Sequence, residues 1–187
     1  MHKPIVIFTG PSASGKTTLC DYLVTKHGFV KPSTCTTRSP RQNEGPDSYI
    51  FLNQNQFKSK VLANEMLEYV ENFGYYYGSP TVSFELDAPI VVAMTASGAE
   101  AVRKKYPHRT VIINLSISPI TMVKRIRSRS DMSFQELKAR LMEIKKGDKY
   151  YANYFIDADS PLHEVCHKIE EILSLIMPGE NKIGANV

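Results

Sequence analysis

The sequence predicts an α/β fold of three layers, with a central parallel sheet and helices on both faces. Three observations carry this. The apolar runs at 89–94 and 110–115, and the shorter one at 4–8, are nearly continuous, as in strands buried on both faces. Segments with helical periodicity alternate with them, and such alternation builds parallel sheets. Between the first strand and the first helix, Gly10-Pro11-Ser12-Ala13-Ser14-Gly15-Lys16-Thr17-Thr18 fits the phosphate-loop pattern G-x-x-x-x-G-K-[ST].

In chain order, strand 4–8 leads into a helix from Lys16 to about Lys26, which His27-Gly28 stops. His27 reads as a helix-end residue rather than a ligand. Residues 32–49 are turn-rich and poor in helix signals, and a loop this long inside a domain is functional or disordered. A short strand is expected at 49–52. Asn53 then caps a helix running to Leu62, with Gln56 at the third helical position of a capping box. Alternation predicts strands at 66–73 and 75–78, so 34–79 reads as a small, mainly β insertion. A short helix at 82–86, a strand at 89–94, a helix at 98–105 and a strand at 110–115 resume the core. Ser118-Pro119 places a cap before a proline at the first helical position, opening a helix through Arg129. Ser133-Phe134-Gln135-Glu136 is a capping box for a helix to about Tyr151. A last strand at 154–156 precedes a helix opened by Ser160-Pro161. Its Leu162, Val165, Ile169, Ile172, Leu173 and Ile176 form a core-facing stripe. Residues beyond Met177 read as a frayed tail.

The loop's residue types follow from phosphate chemistry. Gly10 and Gly15 allow backbone angles and close approaches that a Cβ blocks. Pro11, Ser12, Ala13 and Ser14 between them supply main chain whose N–H groups can line a nest for phosphate oxygens. The helix start at Lys16, Thr17 and Thr18 adds its positive dipole end. Lys16 brings a point charge to the outer phosphates, and the Thr17 hydroxyl a ligand for Mg²⁺ delivered with ATP.

Bulk properties narrow the field without naming a reaction. The chain has 187 residues, 42% hydrophobic and 22% charged, enough for one domain with a substantial core. A formal net charge of +4 does not by itself argue for nucleic acid and suits an anionic small molecule. Cys20, Cys35 and Cys166 are few and widely spaced, which argues against a disulfide framework or zinc site and for a reduced, cytoplasmic setting. No signal peptide or membrane span is evident, so a membrane is not an expected partner, and with so small a net charge neither is nucleic acid.

The acceptor is written in the insertion. Arg38 and Arg41, with Tyr49 and Tyr77, offer two guanidinium forks and two phenols, a set suited to a monophosphate. A solvated basic loop would carry the same residues. Glu68 can accept two hydrogen bonds from the N1 and 2-amino donors of guanine and would repel the N1 acceptor of adenine. It could equally point outward from a strand. The order Thr34-Cys35-Thr36-Thr37-Arg38-Ser39-Pro40-Arg41-Gln42-Asn43-Glu44, then Asp47-Ser48-Tyr49, Met66-Leu67-Glu68-Tyr69 and Tyr76-Tyr77-Gly78-Ser79 resembles guanylate kinases, and the resemblance runs from the phosphate loop to the terminal helix. It implies that Arg38, Arg41, Tyr49 and Tyr77 hold the phosphate of GMP, while Thr34, Glu68 and Ser79 read its base. It also implies one domain with a core of 1–32, 81–125 and 141–187, a nucleotide-binding insertion at 33–80 and a lid at 126–140.

Lys124, Arg125, Arg127 and Arg129 form a basic cluster near an expected helix break, with Arg140 on the following helix. Arginines so placed can stabilise the charge of a phosphoryl group in transfer while closure excludes water. The resemblance gives that part to Arg125, Arg129 and Arg140, and Arg127 reads as solvated. Asp157 stands where the family has an adenine-contacting Asn. Where the family carries two aspartates before its second core helix, this chain has Ala93 and Thr95. Slow turnover, an altered acceptor, or help from another carboxylate such as Glu44 would each accommodate that loss. The resemblance thus implies an ATP- and Mg²⁺-dependent kinase of GMP or dGMP, monomeric or weakly self-associating. A catalytically weak interaction module and a kinase of another phosphorylated acceptor remain open on the residues alone.

Overall fold

A computed structural model describes residues 3–40, 44–45, 48–72, 74–128, 137–138, 141–142 and 152–178. Strand β1 (Ile5–Thr9) is buried along its whole length, because it lies inside a parallel sheet with a neighbour on each side. On one side it pairs with β6 (Ile90–Ala93), with Phe8 opposite Ala93. On the other it pairs with β7 (Thr110–Ser116), with Phe8 opposite Ile113 and Thr9 opposite Asn114. Strand β8 (Tyr154–Asp157) extends the sheet beyond β7, giving the order β6-β1-β7-β8. A single bridge from Val30 to Ile90 continues it past β6.

Alternation along these strands divides the core. Val6, Phe8, Val91 and Ile113 meet Leu19, Cys20 and Leu23 of α1 (Lys16–His27) and Val165, Ile169 and Leu173 of the terminal helix α5 (Leu162–Ile176). Ile5, Ile7, Ile90 and Val92 face the other way, onto Ala99 and Val102 of α3 (Ala96–Lys105) and onto Phe84. Helix α1 ends on Gly28 in the left-handed region, as its His27-Gly28 stop predicts. A third cluster joins Ile117 to Met122 and Ile126 of α4 (Pro119–Arg127) and to Leu137, with Ala13 of the phosphate loop packed against it.

The stretch expected as a mainly β insertion forms a second sheet. Its order is β3-β2-β5-β4, built from β2 (Cys35–Thr36), β3 (Ile50–Phe51), β4 (Met66–Asn72) and β5 (Tyr75–Pro80). Helix α2 (Gln54–Leu62) has the Asn53/Gln56 capping box in full. It buries Phe57, whose ring stacks on Tyr76.

Several boundaries differ from expectation. β2 has no counterpart in the sequence reading. Two residues carry no periodicity, and Thr36 is held in the sheet by pairing with Phe51 of β3 and Tyr77 of β5. The segment expected as a helix at 82–86 is a single 3₁₀ turn, Thr81–Phe84. Helix α3 starts at Ala96 rather than 98, because the Thr95 hydroxyl accepts from the Gly98 N–H and caps it. The terminal helix is entered from Pro161 without a side-chain cap, so Ser160 does not serve as one. Arg129, Arg140 and most of the helix expected at 136–151 lie outside the described residues, as do Arg41 and Asp47. Among the described residues no helix is long and apolar enough to cross a membrane.

Leu23 sits at the centre of the α1 contact and is fully buried. Leu23→Ala is expected to lower unfolding free energy by about 2–5 kcal/mol, read from denaturant unfolding.

Candidate active site

The phosphate loop leaves the carboxyl end of β1, where ligands of parallel α/β sheets bind. Gly10 has φ 130 and Gly15 φ 98, both in the left-handed half of the map, and Ala13 joins them at φ 62. Space also matters at Gly10, where a Cβ would stand 2.3 Å from the Leu115 carbonyl oxygen. A Cβ at Gly15 would meet no atom of the described residues, so what the described structure asks of it is the backbone angle. The loop is pinned by Ser14 N–H donating to the Pro11 carbonyl. Gly15 gives α1 no side-chain cap, and N–H groups at an uncapped helix start favour an anion. The Lys16 ammonium donates to the carbonyls of Gly10 at 2.7 Å and Pro11 at 2.8 Å, folded over the loop it serves. Ser12 is half-buried, and among the described residues the buried Ser14 Oγ has no hydrogen-bond partner.

Arg125 extends this wall. Its guanidinium donates to the Ala13 carbonyl at 3.4 Å and the Ala158 carbonyl at 2.7 Å, tying the loop to the exit of β8. Asp157 is exposed there, its carboxylate accepting from the Asp159 N–H. Asp159 in turn accepts from the Ser118 N–H at the start of α4.

In the second sheet, Arg38 is held from several directions. One terminal nitrogen donates to both Glu44 carboxylate oxygens at 2.8 Å, and the other to the Ser39 carbonyl at 2.6 Å. The guanidinium carbon lies 5.7 Å from the centre of the Tyr49 ring, and Tyr49 meets Tyr77 edge to face at 6.3 Å. Burial pulls the guanidinium pKa down, but the bond and charge of Glu44, with Tyr77, outweigh it and raise it. Among the described residues the buried Arg38 Nε has no hydrogen-bond partner.

Two residues the sequence reading passed over set this arginine's backbone. Thr36 Oγ1 donates to the Tyr76 carbonyl and accepts from the Arg38 N–H, while Thr37 Oγ1 accepts from the Tyr76 N–H. Only the run of threonines before Arg38 hints at it in the sequence. Thr34 is half-buried just before β2, its carbonyl accepting from the Ile50 N–H.

Glu68 does not point outward. It is half-buried, and its Oε1 accepts from the Ser79 hydroxyl at 2.6 Å. Burial pushes its carboxyl above the ordinary range, and the Ser79 bond pulls the other way. Its Oε2 lies against Gly98 of α3. Because α3 follows β6, and β6 pairs with β1, Glu68 stands at the same sheet edge as the phosphate loop.

Ala93 and Thr95 also occupy this edge. Ala93 ends β6 and packs against the core, and Thr95 caps α3. Among the described residues no group of three His, Cys, Asp or Glu side chains could hold a metal on its own. The exposed Thr17 hydroxyl at the start of α1 fits a different case, a Mg²⁺ ion that arrives on nucleotide phosphates and keeps most of its waters.

The sequence model of the guanylate kinase family matches residues 1–175. The chain belongs to the guanylate kinase family. A guanylate kinase of Clostridium acetobutylicum is 33% identical over 155 residues, 80% of this chain and 74% of that one. One from Prochlorococcus marinus is 30% identical over 186 residues, 93% of this chain and 97% of that one. The crystal structure of guanylate kinase from Anaplasma phagocytophilum superposes with a TM-score of 0.72 at 22% identity, covering 98% of this chain and 91% of that one. Within this guanylate kinase fold the described residues bring Arg38, Tyr49 and Tyr77 into one cluster, Glu68 and Ser79 into a second, and Lys16 and Arg125 onto the phosphate loop.

Gly10→Ala combines a forbidden contact with a disfavoured φ. It is expected to cost about 2–3 kcal/mol of stability and to abolish ATP binding, checked by thermal melting and nucleotide titration.

Proposed function

We infer that this protein is an ATP-dependent guanylate kinase, transferring the γ-phosphoryl group of ATP to GMP or dGMP to give ADP and GDP or dGDP. One observation supports the choice of acceptor above the others. A half-buried carboxylate, Glu68, is hydrogen-bonded to Ser79 at the sheet edge that carries the phosphate loop. An acceptor of two adjacent donors at that place suits guanine and opposes adenine.

The proposed mechanism needs little covalent work from the protein. The first-turn amides of α1 and the Lys16 ammonium bind the outer phosphates of ATP, Lys16 exchanging its loop carbonyls for phosphate oxygens. Arg38, with Tyr49, Tyr77 and Arg41, takes the GMP phosphate, and an Arg38 Nε buried without a partner among the described residues supports that reading. Glu68, Ser79 and Thr34 orient the base. An oxygen of the GMP phosphate, already anionic, attacks the γ-phosphorus in line. The new P–O bond forms as the bond to the β,γ-bridging oxygen breaks, and ADP leaves with the electron pair. No side-chain base is required. Arg125, with Arg129 and Arg140 of the proposed lid, stabilises the charge spread over the transferring group. Thr17 would hold Mg²⁺, which neutralises β- and γ-phosphate charge when bound. Asp157 would border the ATP base, and the site is expected to work in the cytoplasm, as a monomer or weak oligomer.

Lys16→Ala is expected to lower kcat by about a thousandfold or more in a coupled ADP assay. The same assay run with each nucleoside monophosphate tests the acceptor: turnover of AMP or CMP with none of GMP would reject it.

Base recognition requires ionised Glu68, whose carboxyl is raised by burial. The kcat/KM for GMP is therefore expected to fall, as pH drops, from above the ordinary carboxylate range. Ser79 favours the charged form, so Ser79→Ala is expected to move that limb to higher pH. Comparing both enzymes on GMP cancels the titration of the substrate phosphate. Stability runs the opposite way. A raised carboxyl contributes most below its unfolded pKa and loses that contribution as pH climbs through the folded one.

A further inference from the structure

Gly98 is the third residue of α3, buried, with an ordinary helical backbone that does not call for glycine. Alanine is the better helix former at such a position. What the glycine leaves is room for Glu68. A Cβ there would lie 3.0 Å from Glu68 Oε2 and 3.2 Å from its carboxyl carbon. The other oxygen, Oε1, is held by Ser79 of β5 at 2.6 Å. The carboxylate is thus seated between a hydroxyl on one element and bare backbone on another. Thr95 decides where that bare backbone stands, since its hydroxyl caps the helix on the Gly98 N–H itself at 3.2 Å.

We propose that Gly98 is a positioning residue for base selection. By keeping this turn of α3 free of a side chain, it sets the position of the Glu68 carboxylate and so the preference for a purine with donors at both N1 and the 2-amino group. Thr95 acts with it by fixing the start of the helix. The proposal rests on Glu68 reading the base. A methyl group at 98 meets the far end of a flexible side chain, which can shift, so the fold accommodates the change. The carboxylate moves and the paired hydrogen bonds to the base lose their geometry.

The discriminating ligand is IMP, which keeps N1–H and lacks the 2-amino group. The wild type, Gly98→Ala and Glu68→Gln are compared by calorimetric binding of GMP and IMP, steady-state kinetics and thermal melting. Gly98→Ala is expected to melt no lower than the wild type, to keep its KM for ATP, and to lose about tenfold or more of the GMP-over-IMP preference. If Gly98→Ala keeps the wild-type preference while Glu68→Gln loses it, the role of Gly98 is overturned and the base reading stands. If Glu68→Gln also keeps it, the base reading fails and the proposal with it. Should Gly98→Ala not fold, Thr95→Ala against Thr95→Ser carries the test. Loss of preference in the first with retention in the second supports the proposal, and equal preference in both overturns it.

Discussion

The parallel pairing of β1 with β6 and β7 is the constraint on which the site depends. Parallel strands end at one edge, and the chain must leave each of them there to begin a helix. The register sets Phe8 beside Ala93 and Ile113, so three exits are brought level: the phosphate loop, the Thr95-capped start of α3, and the Ser118-capped start of α4. Each exit points helix N–H groups to the same side of the sheet, which favours anions there. The contact between Gly10 and the Leu115 carbonyl shows how closely two of these exits are packed.

The two carboxylates of the acceptor region have opposite surroundings. Glu44 is paired with a guanidinium, and the pair is mostly sheltered from water, with side-chain exposures of 11% for Arg38 and 15% for Glu44. Such a pair keeps Arg38 oriented while its Nε has no partner among the described residues. Glu68 has a hydroxyl partner in Ser79, and burial is the leading influence on its ionisation. A charge neutralised by a cation recognises little, whereas one held by a single neutral donor retains the capacity to accept more. The structure therefore gives two identical side chains different partners, a guanidinium for Glu44 and a hydroxyl for Glu68.

The departure at Ala93 and Thr95 has a structural reading of its own. A carboxylate at the end of β6 would sit among core residues, and Ala93 packs there instead. Thr95 keeps the capping oxygen that α3 needs and adds no charge beside Glu68. Glu44, considered from the sequence as a substitute acid, is engaged with Arg38. Among the described residues no group of three His, Cys, Asp or Glu side chains makes up for that loss as a metal site.

Much of the frame was legible because it rests on local rules: continuous apolar runs at β1, β6 and β7, the Asn53 and Ser118 caps, the Gly28 stop and the phosphate-loop glycines. Less was legible wherever a residue's role comes from a distant partner. β2 is two residues long and exists through its pairing with β3 and β5. The Thr36 and Thr37 clasp on Tyr76 joins positions about forty residues apart. Whether Glu68 faced in or out was undecidable from alternation, which assigns two faces without naming the buried one. The sequence alone determined the phosphate loop and the parallel core, because spacing and backbone preference act over a few residues. Only the tertiary structure decided which carboxylate pairs with Arg38, which turns to Ser79, and which glycine makes room for it. Those choices depend on side chains brought together by sheet pairing and helix packing, where separation along the chain carries no information.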